Sequence, residues 1–266
     1  MSASSISCEL LAEEQERGFF DVGFAVLPQA FSTAEVVEMR SAFERLERRA
    51  NDLGESGIHD GAQFVVEPLG EQAGQPRIRI QRIVWASALE PVLDRVGQDP
   101  RLIQTAGRLL RSREVTQIVS QAHFKIPGDG VEFPWHQDSR HRRWGSTDWR
   151  DVNGDGSYVQ TVLALDDVDE TNGPLEFLPG SWRLGHVDRA GRGEHIAREL
   201  QRAVRPVSVR MRAGDVLVFG PYAFHRSTPN TSAGPRRTFL NGYACPTANL
   251  RLYPGRAAGR ILAATP

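Results

Sequence analysis

The strongest constraint on this chain's fold is a change of period near residue 113. Before it, apolar residues recur at helical spacing. Val36, Met39, Phe43 and Leu46 share one face of a segment opened by the capping box Ser32-Thr33-Ala34-Glu35. After it, the pattern alternates. From Val115 to Ile126, the residues Ile118, Ala122, Phe124 and Ile126 fall on one face, and Gln121, His123 and Lys125 on the other. Further short apolar runs follow at Tyr158–Leu165, Leu175–Leu178, Val207–Met211, Val216–Phe219, Ala223–Ser227 and Arg236–Ala244, with Gly- and Pro-rich turns between them. Short strands of this kind after a helical part indicate a mainly β protein with flanking α-helices, a jelly roll.

We expect one domain over residues 1–266, with 1–112 mostly helical and 113–245 forming the jelly-roll core. In the first part the pattern predicts a helix over 9–17, a strand at Phe24–Leu27 and a loop over 51–76 with one strand at Gln63–Val66. A strand at Arg77–Trp85 follows, then a helix from Asp99-Pro100 to about Leu110. In the second part, Val207–Met211 and Val216–Phe219 flank the turn Ala213-Gly214-Asp215 as a hairpin, and a helix is expected at Glu194–Ala203. There is no internal repeat and no interdomain linker.

Composition narrows the partners. A formal net charge of −1 gives no general electrostatic reason to bind nucleic acid or an anionic membrane. No apolar run reaches the length of a membrane span. The stretch Met1 to Cys8 has neither a basic n-region nor an apolar core, so no signal peptide is expected. Two scattered cysteines, Cys8 and Cys245, fit a reducing compartment. The expectation is a cytoplasmic protein, monomer or homodimer, acting on a small molecule.

The chemistry gathers around Phe133-Pro134-Trp135-His136-Gln137-Asp138. In an extended segment His136 and Asp138 point the same way. Imidazole and carboxylate together suit divalent iron, and a third ligand would complete a facial triad with open positions. His225, in a strand far along the chain, is the natural third ligand. Arg236 lies eleven residues beyond it, and a guanidinium fork suits a carboxylate clamp. Arg237 is its rival, because strand register decides which side chain points inward. The row Gln121, His123, Lys125 faces either water or a cavity. Lys125 is the only lysine in a chain whose other basic residues are arginines, which favours the cavity. The loop after Asp138 carries Arg140, Arg142, Arg143, Trp144, Trp149 and Arg150. It suggests a substrate lid, with one of the arginines meeting an anionic group. Asp166, Asp167, Asp169 and Glu170 lack calcium-loop order and read as a solvated turn, and His59 as a solvated loop histidine.

These stretches resemble the phytanoyl-CoA dioxygenase family. The resemblance is carried by Phe133 to Asp138, by Asn172-Gly173-Pro174-Leu175-Glu176-Phe177-Leu178-Pro179-Gly180-Ser181, by Ala213 to Phe219, and by the spacing of His225 and Arg236. It implies a double-stranded β-helix and a non-haem Fe(II), 2-oxoglutarate-dependent oxygenase that uses O2. It also implies that His136, Asp138 and His225 hold iron and that Arg236 binds the distal carboxylate of 2-oxoglutarate, with Ser227 beside it. Lys125 and Gln160 match family positions facing the same pocket. Related halogenases replace the triad carboxylate with a small residue; Asp138 is present, so oxygenation is expected. Trp182 stands where the family often has histidine, away from the expected iron site. Two other classes share such barrels: a zinc hydrolase, which would leave Arg236 idle, and a non-catalytic binder. Succinate formation separates both from an oxygenase.

Overall fold

The computed structural model describes residues 10–72, 75–251, 253 and 259–264, so Met1 to Cys8, expected to carry no signal peptide, lies outside it. Helix α1 (Glu13–Val22) runs five residues past the expected end and buries Phe19 before strand β1 (Phe24–Leu27). Helix α2 (Thr33–Leu53) starts at the capping box. The Ser32 hydroxyl accepts from the Glu35 N–H, and the Glu35 carboxylate accepts from the Ser32 N–H at 2.7 Å.

The part expected to be mostly helical also carries four strands. The segment expected as a loop with one strand at Gln63–Val66 contains β2 (Gly57–His59) and the whole of a longer strand, β3 (Ala62–Gln72), which pairs with β4 (Gln75–Val84). The reason is position. At a sheet edge one face meets water, so an edge hairpin is as polar as a loop. Among the described side chains of β2 and β3, Ala62, Phe64 and Val66 are the buried ones. Helices α3 (Pro91–Gly97) and α4 (Pro100–Leu110) follow.

The jelly roll is built from β5 (Glu114–Lys125), β6 (Phe133–His136), β7 (Tyr158–Ala164), β8 (Leu175–Phe177), β9 (Val207–Ser208), β10 (Val216–Phe219), β11 (His225–Ser227) and β12 (Arg236–Ala244). Helix α5 (Asp138–His141) follows β6, helix α6 (Gly193–Leu200) precedes β9, and β13 (Arg260–Ala263) pairs with β5. The large sheet runs β1-β10-β7-β12-β5-β4-β3-β2, and the small sheet runs β6-β11-β8-β9. The sequence patterns therefore locate most of these strands, but the expected hairpin around Gly214 does not form. β9 pairs with β8 in the small sheet, whereas β10 pairs with β1 and β7 in the large one. Ala213-Gly214-Asp215 is a corner where the chain changes sheets. Its Asp215 carboxylate accepts from Gln29 N–H at 2.8 Å and Arg212 N–H at 2.7 Å. At Gly214 (φ 99°) an added Cβ would sit 2.3 Å from the Phe31 carbonyl oxygen.

The alternation of β5 sorts two cores. Ala122 and Phe124 face the helical layer, where Phe124 meets Phe43 of α2 with ring centroids 5.1 Å apart. A second cluster, including Val162, Phe177, Leu217 and Phe219, packs between the sheets. The remaining space is a cavity lined by apolar side chains together with the inward polar row of β5.

Candidate active site

His136 ends β6 and lies directly opposite His225 at the start of β11. Asp138, two residues on, opens α5. One ligand atom from each of the three lies within 4.8 Å of the others, the group that could hold a metal ion among the described residues. The Nε2 atoms of His136 and His225 stand 3.6 and 3.9 Å from Asp138 Oδ1. Each ring's Nδ1 faces a backbone carbonyl, Pro134 at 2.7 Å and Ala223 at 3.0 Å. A carbonyl only accepts, so each Nδ1 must carry the proton, and each Nε2 lone pair is left for a metal.

The electrostatics of His225 and Asp138 agree with this. Burial, reinforced by neighbouring His136, brings His225 down to about 3. Burial alone would raise the Asp138 carboxyl, but the His136 hydrogen bond and the charges of His225, His136 and Arg142 hold it below the usual carboxylate range. For His136, burial pulls downward, while the hydrogen bond and charge of Asp138 outweigh it and raise the imidazole. An anionic carboxylate next to a neutral imidazole is a donor set suited to a divalent cation.

Gln137, between the two ligands, points the other way and is fully buried. Its amide donates to the carbonyls of Gly185 (2.9 Å) and Tyr222 (2.7 Å) and accepts from Val187 N–H (2.8 Å) and Asp188 N–H (3.0 Å). The 185–188 segment is thus pinned behind the cluster. Period two was the signal available for this: a side chain opposite two inward ligands must meet other protein.

The cavity next to the cluster encloses about 190 Å³. All three members of the predicted polar row, Gln121, His123 and Lys125, line it, as do Gln160, Ser227 and Arg236. Register separates the two candidate clamps. Arg236 pairs with Lys125 across β12 and β5, while Arg237 pairs with Phe124 and points to the opposite face. There Arg237 makes a two-pronged bond to Asp166 at 2.9 and 2.9 Å. Asp166 is therefore an ion-pair partner and not part of a solvated turn. Arg236 donates to the Asn172 carbonyl (3.5 Å), to Thr238 Oγ1 (3.2 Å) and to the Gly173 carbonyl. Lys125 Nζ donates to the Thr228 carbonyl. Burial and the neighbouring Arg236 push the Lys125 ammonium down to about 6, and burial brings Arg236 down to about 10. Gly173 (φ 77°) is required at this turn, since a Cβ would lie 2.2 Å from the Thr228 oxygen. Gln160 is fixed by its bond to the Asn241 carbonyl at 3.0 Å and accepts from the Tyr158 hydroxyl.

Of the arginine- and tryptophan-rich loop, His141 and Arg142 line the cavity. Trp149 is buried beside Tyr222, and Trp144 stacks on His186 with centroids 4.6 Å apart. His59 sits at the far sheet edge against Phe64. Sequence reasoning missed Arg82, which reaches the cavity because β4 sets it opposite His123, and Tyr253, which returns from the C-terminal stretch. Neither carries a local motif.

A jelly roll that converges two histidines and an aspartate beside buried, inward cations defines the class of non-haem iron oxygenases. A family model described as phytanoyl-CoA dioxygenase (PhyH) matches residues 19–238, so the chain belongs to that family and is an iron- and 2-oxoglutarate-dependent oxygenase. It is 28% identical over 254 residues to an ectoine dioxygenase of Bordetella bronchiseptica, covering 88% of this chain and 76% of the relative. It is 26% identical to an L-proline trans-4-hydroxylase of Streptomyces griseoviridis, covering 83% and 82%. Its fold matches that of the epimerase SnoN from nogalamycin biosynthesis, crystallised with Fe3+, α-ketoglutarate and nogalamycin RO. That match has a TM-score of 0.65 at 20% identity and covers 92% of this chain and 91% of SnoN.

Proposed function

We propose that this protein hydroxylates a C–H bond of a small organic substrate in secondary metabolism, within the cytoplasm. The observation that carries the reading is the meeting of two groups in one cavity: the His136, Asp138, His225 cluster and the paired cations Lys125 and Arg236. Bound iron with 2-oxoglutarate and O2 supplies the oxidising chemistry, giving succinate and CO2. The chain's own residues do the rest. His136, Asp138 and His225 hold the metal through Nε2, a carboxylate oxygen and Nε2. Arg236 receives the distal carboxylate of 2-oxoglutarate as a fork, and Lys125 adds a second charge beside it. Ser227 and Gln160 complete that wall. Val162, Leu175, Phe219 and Leu240 keep water from the reacting centre.

Size supports a small substrate. The cavity's 190 Å³ falls below the roughly 300–1,000 Å³ usual for ligand pockets, so cosubstrate and substrate share a tight space. Hydroxylation is preferred over epimerisation, desaturation or ring closure because the more similar relatives are named for dioxygenation and hydroxylation. The test is Fe(II)-dependent succinate release from 2-oxoglutarate. It should occur in the wild type and vanish in His136→Ala; persistence in that variant overturns the assignment. A product heavier by one oxygen atom distinguishes hydroxylation from the alternatives.

A further inference from the structure

Arg142 is the buried cation of this cavity that the oxygenase reading leaves unused. It lies one turn beyond Asp138, with its N–H donating to the Asp138 carbonyl at 3.0 Å. Its side chain is 2% exposed and lies between two tyrosines, its guanidinium carbon 4.9 Å from the Tyr158 ring centroid and 4.7 Å from that of Tyr253. One terminal nitrogen donates to the Tyr253 hydroxyl. Nε and the other terminal nitrogen are buried with no hydrogen-bond partner among the described residues. A guanidinium carries five N–H donors and does not deprotonate. Leaving most of them unpaired away from water is costly, and aromatic faces recover only part of that cost.

A charge count sharpens the point. Fe(II) with the Asp138 carboxylate leaves one positive charge. The 2-oxoglutarate dianion takes that to one negative, which Arg236 balances, with Lys125 beside it. Beyond that balance Lys125 stays with the 2-oxoglutarate, and Arg142 and Arg82 line the cavity with no anion assigned to them. No salt bridge engages either among the described residues, whereas Arg143, on the same loop, pairs with Asp148 at 2.9 Å. Arg82 is only half-buried and meets water, whereas a neutral substrate would leave the buried Arg142 uncompensated. An oxyanion would satisfy its unpartnered donors.

Building on the oxygenase reading, we infer that Arg142 is a specificity-determining residue that binds an oxyanion group of the substrate, a carboxylate or a phosphonate-type acid, next to the metal. The competing role for Arg142 is to brace Tyr253 alone, with no ligand.

The test uses the Fe(II)- and 2-oxoglutarate-loaded protein without oxygen, so that the Arg236 clamp is already filled. Acetate, methylphosphonate and neutral acetamide serve as probes. Binding beside paramagnetic iron is read as accelerated nuclear relaxation of the probe, with Zn(II)-loaded protein as the diamagnetic blank. The expected result is a saturable enhancement for at least one anion and none for acetamide, with affinity reduced at least tenfold in Arg142→Gln and less in Arg142→Lys. The anion that responds tells carboxylate from phosphonate. The 2-oxoglutarate affinity of each variant reports whether it is folded, and Arg142→Lys keeps the test open should the glutamine variant not fold. Absence of anion binding to the loaded wild type, or equal binding by a folded Arg142→Gln, overturns the inference. Wild-type protein that releases no succinate with Fe(II) overturns the oxygenase reading, and this inference with it.

Discussion

At the scale of single residues, Arg236 and Lys125 face each other across β12 and β5 at the end of the cavity proposed to take 2-oxoglutarate. Arg236 is 5% exposed and, among the described residues, bonds to neutral oxygens. Removing one side of a buried charge pair costs about 2–5 kcal/mol, so Arg236→Gln should weaken 2-oxoglutarate binding by roughly thirtyfold or more, as measured by anaerobic titration. Lys125 adds a pH dependence whose sign can be worked out. In the free protein its ammonium loses its proton near pH 6, through burial and the charge of Arg236, with Asp129 and Glu132 opposing. Above that pH the free site holds a neutral amine. A bound dianion favours the ammonium and raises its pKa, so binding takes up a proton. Affinity for 2-oxoglutarate should therefore fall as pH rises above about 6. Calorimetry near pH ~8 in buffers of different ionisation heat should show proton uptake in the wild type and none from this site in Lys125→Met. Equal heats in all buffers would rule the linkage out.

At the scale of elements, β12 separates two jobs on its alternate faces. Arg236 turns into the cavity, and Arg237 turns out to Asp166, with Glu44 at 3.8 Å. Asp166→Ala strands a mostly buried guanidinium. It should cost about 2–4 kcal/mol in denaturant unfolding, a little less than a fully buried pair because Glu44 remains, while leaving 2-oxoglutarate affinity unchanged. β6 makes the same division. Gln137→Leu removes four hydrogen bonds and leaves buried backbone groups without partners. It should lower stability by roughly 3 kcal/mol and loosen residues 185–188, seen as faster amide exchange there. These two strands also show what the sequence made legible. Alternation put His136 and Asp138 on one side of an extended segment and Gln121, His123 and Lys125 on one face of β5, but it left Arg236 and Arg237 as rivals, and the preference for Arg236 came from the family spacing to His225. Alternation could not supply pairing between distant strands. Arg82 enters the cavity only because β4 pairs with β5, and nothing near Arg82 encodes that partner. Nor could it distinguish a hairpin from a corner. Ala213-Gly214-Asp215 has the turn chemistry of both, and which one forms depends on the sheets that receive β9 and β10.

At the scale of the whole molecule, the helical part and the jelly roll are joined by backbone pairing. β1 pairs with β10, and β4 pairs with β5. One apolar cluster runs from Leu11 through Phe43, Leu93 and Leu109 to Phe239 and Ala264. Separating the chain near residue 113 would cut that cluster and expose the edges of β5 and β10 with their unpaired backbone groups. It would also take Arg82 out of the cavity wall. Folding should accordingly be cooperative over the full chain, with one calorimetric transition whose van't Hoff and calorimetric enthalpies agree. A chain beginning at residue 113 should show no cooperative transition and should aggregate. Two resolved transitions in the intact protein, or a soluble truncated chain that still binds 2-oxoglutarate, would show instead that the jelly roll folds alone. In that case the helical layer would only cover it, and the first 112 residues would be dispensable for the metal cluster. The pairing of β4 with β5 argues against that outcome, because the strand that carries Gln121, His123 and Lys125 into the cavity is held on one side by the N-terminal part.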